Sequence, residues 1–267
     1  MLKKILIIIG YTLLISALGV YFFYAETLSR KGKESEVCRD ITVTLLDSLE
    51  NRFVAKSEVV EIIEDFTGTV IGKKRKEINL ANIESILEKR SAIKEAQVSL
   101  SSNGTLAVEI TQRRPLLRIQ TENGGFYLDE TGYIFPLVGS FTSYVPIVTG
   151  YIPLRLDPGH RGNATKDIDG WCQKIVGMGI YLRENPFWDA MVEQIYVQKN
   201  GDVIFSPKVG DFEIIFGDLN NIEKKFSKLL AFYKNIAPHE GWDKYSQVNL
   251  KYNGQIVCKL KKSKKNR

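Results

Sequence analysis

From Ile5 to Tyr24 the chain runs for twenty residues, ILIIIGYTLLISALGVYFFY, without one charged side chain. At about 1.5 Å per residue a helix of this run would reach roughly 30 Å, the depth of a bilayer's hydrocarbon core. Lys3 and Lys4 flank it on the short amino side, which the positive-inside rule places in the cytoplasm. Tyr21 to Tyr24 gather aromatic rings where the helix would meet the opposite interface. The expectation is a cytoplasmic end at residues 1–4, a transmembrane helix at 5–25 and an exported remainder. A cleaved signal peptide with its site at Ala17 to Gly19 is the competing reading. The apolar run continues past that site and is longer than a signal core, which favours the uncleaved anchor.

The length of 267 residues suits one to two domains with cores of their own. The net charge is +6, yet the terminal run KLKKSKKNR holds Lys259, Lys261, Lys262, Lys264, Lys265 and Arg267 with no acid and supplies all of it. Nucleic-acid binding needs a basic footprint on a folded face, so no nucleic acid is expected as a partner. The tail is expected to be a solvated end, with weak contact to anionic lipid or cell-wall polymer as the alternative. Cys38, Cys172 and Cys258 are far apart and odd in number, which gives neither a disulfide framework nor a metal site. Buried free thiols are expected.

Residues 26–36, ETLSRKGKESE, are polar and charged and form a candidate linker. Alternation then predicts a strand over Val37 to Leu46. Ser57 is the candidate cap of a helix whose face carries Val59, Ile62, Ile63 and Phe66. A second helix follows with Leu80, Ile83, Ile86 and Leu87 on one face. Val98 and Leu100 alternate before Asn103-Gly104, and Leu106, Val108 and Ile110 alternate after it, the pattern of a hairpin with a type I′ turn. Strand, helix, helix, strand, strand make a small α+β domain at 37–113. Asn-Gly recurs at Asn123, Asn200 and Asn253, which predicts a mostly antiparallel β domain at 114–260. Two helices belong to it, one with Trp171, Ile175, Met178 and Leu182 on a face. The other carries Leu219, Ile222, Phe226, Leu229 and Tyr233 behind Asp218 as cap. An exposed loop is expected from Pro153 to Asp169, and 261–267 remain as the basic tail.

The stretch Gln112 to Pro136 resembles an active-site loop, with three arginines, an Asp-Glu pair and three glycines. Each has an architectural role instead. Pro115 cannot donate to a ladder and marks the break between two sheets. Leu117 and Ile119 start a strand with Arg118 facing the other way. Asp129 and Gly132 suit the first and fourth positions of a β-turn. His160 and His239 have no partner spacing for a metal or a triad. Trp171, Trp188 and Trp242 are expected in a core or interface. No catalytic residue, cofactor site or metal site is assigned, and an enzyme is not expected.

With those motifs in order, RRPLLRI, YLDETGYIF, VPIVTG, KFSKLLAFYKNI and VNLKYNGQIVCK, the chain resembles the FtsQ/DivIB family of bacterial cell-division proteins over roughly Val37 to Lys259. The resemblance implies a POTRA domain and a β domain facing the periplasm on a single inner-membrane anchor. It also implies a non-enzymatic divisome scaffold at the septum, with FtsB-like and FtsL-like partners. In that family a partner segment adds as a strand to the last β strand and lies against the preceding helix. Carried over by position, the partner-binding residues are Tyr252, Asn253, Gly254, Ile256, Val257, Cys258, Lys259 and Leu260. The physics agrees, because a terminal strand offers unpaired backbone groups to another chain. Two alternatives stand beside it: a POTRA-containing component of outer-membrane protein secretion or assembly, and an exported cell-wall polymer binder.

Overall fold

A computed structural model describes residues 13–24, 36–47, 52–164, 167 and 170–261. Residues 13–24 are helical (α1), and all of their side chains are exposed. Among the described residues no helix is long and apolar enough to cross a membrane. The expected span at 5–25 lies partly outside them, as do the cytoplasmic end, nearly all of the linker and the tail from residue 262 on. The rest of the chain divides at Gln112 and Arg113 into two units, with residues 52–53 counted in the second.

The first unit is a three-stranded sheet with two helices. Its strands are β1 (Asp40–Leu45), β2 (Ile93–Leu100) and β3 (Thr105–Gln112), in the order β1-β3-β2. β1 runs parallel to β3, while β2 and β3 form an antiparallel hairpin. The parallel pair requires a crossover, and α2 (Lys56–Thr67) and α3 (Leu80–Glu88) supply it. Val59, Ile62 and Ile63 of α2 are buried, as are Ile83, Ile86 and Leu87 of α3, so the period of 3.6 gives each helix one inward stripe.

Three local expectations are corrected here. Ser57 does not cap α2: the Val59 N–H already bonds to the Ala55 carbonyl, so the helix starts upstream of the serine. Phe66 is in phase with the buried stripe but sits in the last turn, one residue before the helix ends, and stays 69 % exposed. The Asn103-Gly104 turn is not type I′, which needs positive φ at both residues. Only Gly104 is left-handed, at φ +88°. The Gly104 N–H bonds to Ser101 O and the Ser101 N–H to Thr105 O, a four-residue loop with the glycine as its bulge.

The second unit is one nine-stranded mixed sheet with helices. Its strands are β4 (Pro115–Thr121), β5 (Gly124–Asp129), β6 (Ile134–Pro136), β7 (Ile147–Gly150), β8 (Val192–Val197), β9 (Val203–Pro207), β10 (Glu213–Gly217), β11 (Tyr245–Asn249) and β12 (Val257–Leu260). Their order is β12-β11-β10-β9-β8-β7-β4-β5-β6. The hairpins at Asn123, Asn200 and Asn253 form as expected. Three neighbouring pairs, β4 with β7, β7 with β8, and β10 with β11, are parallel. The connections from β7 to β8 and from β10 to β11 carry two helices each, four helices where two were expected. They are α4 (Trp171–Glu184), α5 (Pro186–Met191), α6 (Ile222–Asn235) and α7 (Ala237–Glu240).

The core of this unit joins the buried stripe of α4 (Trp171, Ile175, Met178, Leu182) and that of α6 (Phe226, Leu229, Phe232, Tyr233) to sheet residues such as Leu117, Ile195, Phe205 and Phe216. Gly179 lets α4 approach, since a Cβ there would fall 2.6 Å from Leu116 Cγ. Asp218 is not the cap of α6. The helix begins at Ile222 behind a left-handed Asn221, and Asp218 instead accepts from Asn220 and the Lys225 ammonium. The loop from Pro153 is mostly exposed, with Leu156 buried as its anchor.

Gly150 closes β7 at φ +95°, and a Cβ there would lie 2.3 Å from Val197 O. Left-handed backbone costs an L-residue about 1–2 kcal/mol, and the backbone clash adds to it. Gly150→Ala should therefore lower the melting temperature by about 4 °C or more in a thermal scan.

Candidate partner-docking edge

β12 is built by its hairpin with β11. The register pairs Asn249 with Val257, Val248 with Cys258, Gln247 with Lys259 and Tyr245 with Leu260, with a bulge in β11 at Ser246. The Ser246 hydroxyl donates to Lys259 O and closes that bulge. The Lys261 N–H bonds to Lys244 O. Backbone groups alternate sides along a strand, so Val257, Lys259 and Lys261 face β11, while Cys258 turns its N–H and C=O, and Leu260 its N–H, to the open edge; the Leu260 carbonyl is reached by the Ser246 hydroxyl at 3.4 Å.

All eight residues carried over from the family resemblance lie together on this hairpin. Tyr252, Asn253 and Gly254 form its exposed turn, Gly254 at φ +72°. Ile256 and Cys258 pack against the core. Val257, Lys259 and Leu260 are exposed, and so the edge offers apolar as well as backbone groups. Burial raises the Cys258 thiol above its ordinary range, and it raises the Cys172 thiol to about 11, so both remain protonated near neutrality. All three cysteines are free.

Two other edge strands, β2 and β6, have outward groups taken up within the chain. Along β2, Glu84 accepts the Val98 N–H at 2.8 Å and Glu88 accepts the Ala96 N–H at 3.3 Å, so α3 carboxylates occupy its outward donors. On β6, Ile134 exchanges two backbone bonds with Gly162 of the long loop. Among the described residues no strand pairs with the outer side of β12.

The arginine-rich stretch is architecture. The Arg113 guanidinium meets the Asp129 carboxylate at 2.9 Å, with the side chains 14 % and 3 % exposed, and lies over the Tyr133 ring. Asp129 also accepts from the Thr131 N–H, the Thr131 hydroxyl and the Tyr133 N–H. Its Oδ1 thus holds the turn and its Oδ2 holds Arg113. Among the described residues no cluster of His, Cys, Asp or Glu could hold a metal ion.

Sequence reasoning missed two features beside the hairpin. Trp188 and Trp242 meet through Tyr233 of α6, at ring separations of 6.0 and 5.5 Å, around an apolar groove of 540 Å³ that also takes in Phe187, Met191 and Leu230. The Tyr233 hydroxyl donates to Val209 O, and burial pushes its pKa well above the phenol range. The other is Lys228, midway along α6, whose ammonium reaches the β11–β12 connection.

A βααββ unit followed by a large mixed sheet defines a class of two-module α+β proteins in which a POTRA-like unit precedes a β domain. Residues 36–111 match the family model of the POTRA-like domain, and residues 114–259 match the model described as FtsQ/DivIB, C-terminal related. The chain belongs to the FtsQ/DivIB family of cell-division proteins. No curated protein matches it.

Proposed function

We propose that this protein is a non-enzymatic, membrane-anchored scaffold of the divisome that binds FtsB-like and FtsL-like partners by strand addition to β12. The observation that carries the reading is the contrast between edges: β2 and β6 have outward groups occupied, while among the described residues no strand pairs with the outer side of β12. Sheets that leave an edge open invite another chain, and natural proteins otherwise block such edges. Backbone bonds along the added strand supply affinity, while Tyr252, Val257 and Leu260 supply contacts for specificity. Lys259 and the basic tail at 261–267 oppose self-pairing of two copies and favour an acidic partner.

The anchor belongs to the same proposal, with residues 1–4 in the cytoplasm, 5–25 in the inner membrane, 26–36 as linker and the two units in the periplasm at the septum. Leu13, Leu14, Ile15 and Tyr21 to Tyr24 are 59 to 69 % exposed on α1. A helix apolar on all sides has no stable place in water, and lipid is the environment that covers it.

The test uses the full chain in lipid nanodiscs and the extracytoplasmic segments of FtsB- and FtsL-like proteins from the same cell. Binding by the full chain, lost on truncation after Lys251, is the expected result. Binding that survives the truncation would move the site elsewhere, and a folded chain that binds neither segment would refute the scaffold reading.

A further inference from the structure

The β11–β12 connection, Leu250 to Ile256, is seven residues long and should be a loose part of the fold. Among the described residues its stretch from Tyr252 to Ile256 donates no backbone–backbone hydrogen bond. A hairpin of this length has no tight turn to fix its register. What holds its middle comes from α6. The Lys228 ammonium donates to Leu250 O at 2.6 Å, to Tyr252 O at 2.6 Å and to Gln255 O at 3.4 Å. An ammonium has three N–H donors and no acceptor, so three convergent carbonyls satisfy it completely.

We infer that Lys228 is the positioning residue of the docking edge: by gathering these three carbonyls it fixes the loop that sets the register and exposure of β12. The inference rests on the proposed strand addition, and it adds which residue makes that edge ready to receive a strand. The arrangement is specific to lysine in two ways. Its charge strengthens each bond to a carbonyl beyond that of a neutral donor. Its tetrahedral head points three donors at three separate acceptors, which the planar fork of arginine cannot do. The position is also costly. Partial burial and the neighbouring Lys225 both lower the Lys228 pKa, so the carbonyl cage is what compensates a charge held at an unfavourable place. Other contacts hold the two ends of the connection: the Leu250 N–H bonds to Ile215 O, Lys251 pairs with Asp202 at 2.5 Å and its N–H bonds to the Asn249 side chain, and Ile256 packs on the core.

A preorganised edge binds more tightly because the cost of ordering it has already been met within the free protein. Loss of the clamp would leave β12 attached by four residue pairs to a single neighbour, β11. Local opening would then expose the amides of the strand long before the sheet unfolds.

The experiment compares the full-length wild type with Lys228→Met and Lys228→Arg in nanodiscs, by hydrogen–deuterium exchange without any partner and by titration with the same FtsB- and FtsL-like segments. Lys228→Met keeps an apolar stem on α6 and removes the donors. Exchange over residues 250–260 should rise by about tenfold or more, with the interior of α6 and the melting temperature nearly unchanged. Affinity should fall by about tenfold, and Lys228→Arg, with the charge but not the geometry, should recover only part of it. Unchanged exchange in Lys228→Met would overturn the inference, and so would faster exchange with full affinity. Failure of the wild type to bind would sink the strand-addition reading instead, while the exchange comparison would still decide whether Lys228 holds β12.

Discussion

Asp129→Ala should lower the stability of the second unit by about 3–5 kcal/mol, the usual effect of leaving one member of a buried ion pair alone. For a unit of this size that corresponds to a fall in melting temperature of roughly 6–20 °C. The carboxylate is 3 % exposed and accepts four bonds, one from Arg113 and three from the turn at Thr131 and Tyr133. Its removal strands the Arg113 charge and frees the turn at once. Asp129→Asn keeps an oxygen for the turn but loses the charge, and it should fall between the two. Adding Arg113→Met to Asp129→Ala should recover part of the loss, because the stranded guanidinium is then gone. Urea and thermal unfolding of wild type, Asp129→Ala, Arg113→Met and the double variant give the cycle. An Asp129→Ala chain as stable as wild type would remove the architectural reading and return this pair to the functional candidates.

The first unit was largely legible in the sequence because its structure follows periodicity. Val98, Leu100, Leu106, Val108 and Ile110 alternate and are all buried, and the two helices show their stripes at the expected residues. The errors lie where periodicity is silent. Ser57 and Asp218 are good capping residues by type, but a cap is defined by which amide it faces, and a main-chain bond or a lysine elsewhere decides that. Phe66 has the right phase at the wrong end of its helix. In the second unit the hairpins were legible from their Asn-Gly turns. The parallel pairings of β4 with β7 and β10 with β11 join segments distant in sequence, and no local pattern encodes which strand lies beside which.

The candidate docking edge was legible in part. Its position at the end of the chain and its alternating residues suggested a strand with a free side. Whether the other edges were blocked was not visible, since Glu84 and Glu88 look like the solvated face of α3 until β2 is placed beside them. Lys228 was hidden for a similar reason. A lysine on a helix with Lys224, Lys225 and Lys234 reads as surface charge, and only the fold brings Leu250, Tyr252 and Gln255 around it. The tryptophans were expected in a core or interface, but their meeting at Tyr233 depends on how α5, α6 and the segment before β11 pack.

Cys258→Pro should abolish partner binding, weakening it by about a hundredfold or more, while the chain stays folded. The alternation set by the Lys261–Lys244 bond turns the Cys258 N–H away from β11 and toward the open edge. Proline there removes the central outward donor and places its ring where an added strand must lie, yet it costs no bond to β11. Lys259→Pro is the complementary variant. Its N–H faces β11, so proline removes a bond of the sheet's own ladder and should loosen β12 in the free protein. The two substitutions are one residue apart and chemically the same, so composition, charge and crowding cannot explain a difference between them. Calorimetric titration with the FtsB- and FtsL-like segments reads the first effect, and hydrogen exchange reads the second. Normal binding by Cys258→Pro would show that partners do not add to this edge, whatever the family, and would shift attention to the groove around Tyr233. Lost binding in a folded Cys258→Pro chain would fix both the mode of docking and the side of β12 on which it occurs.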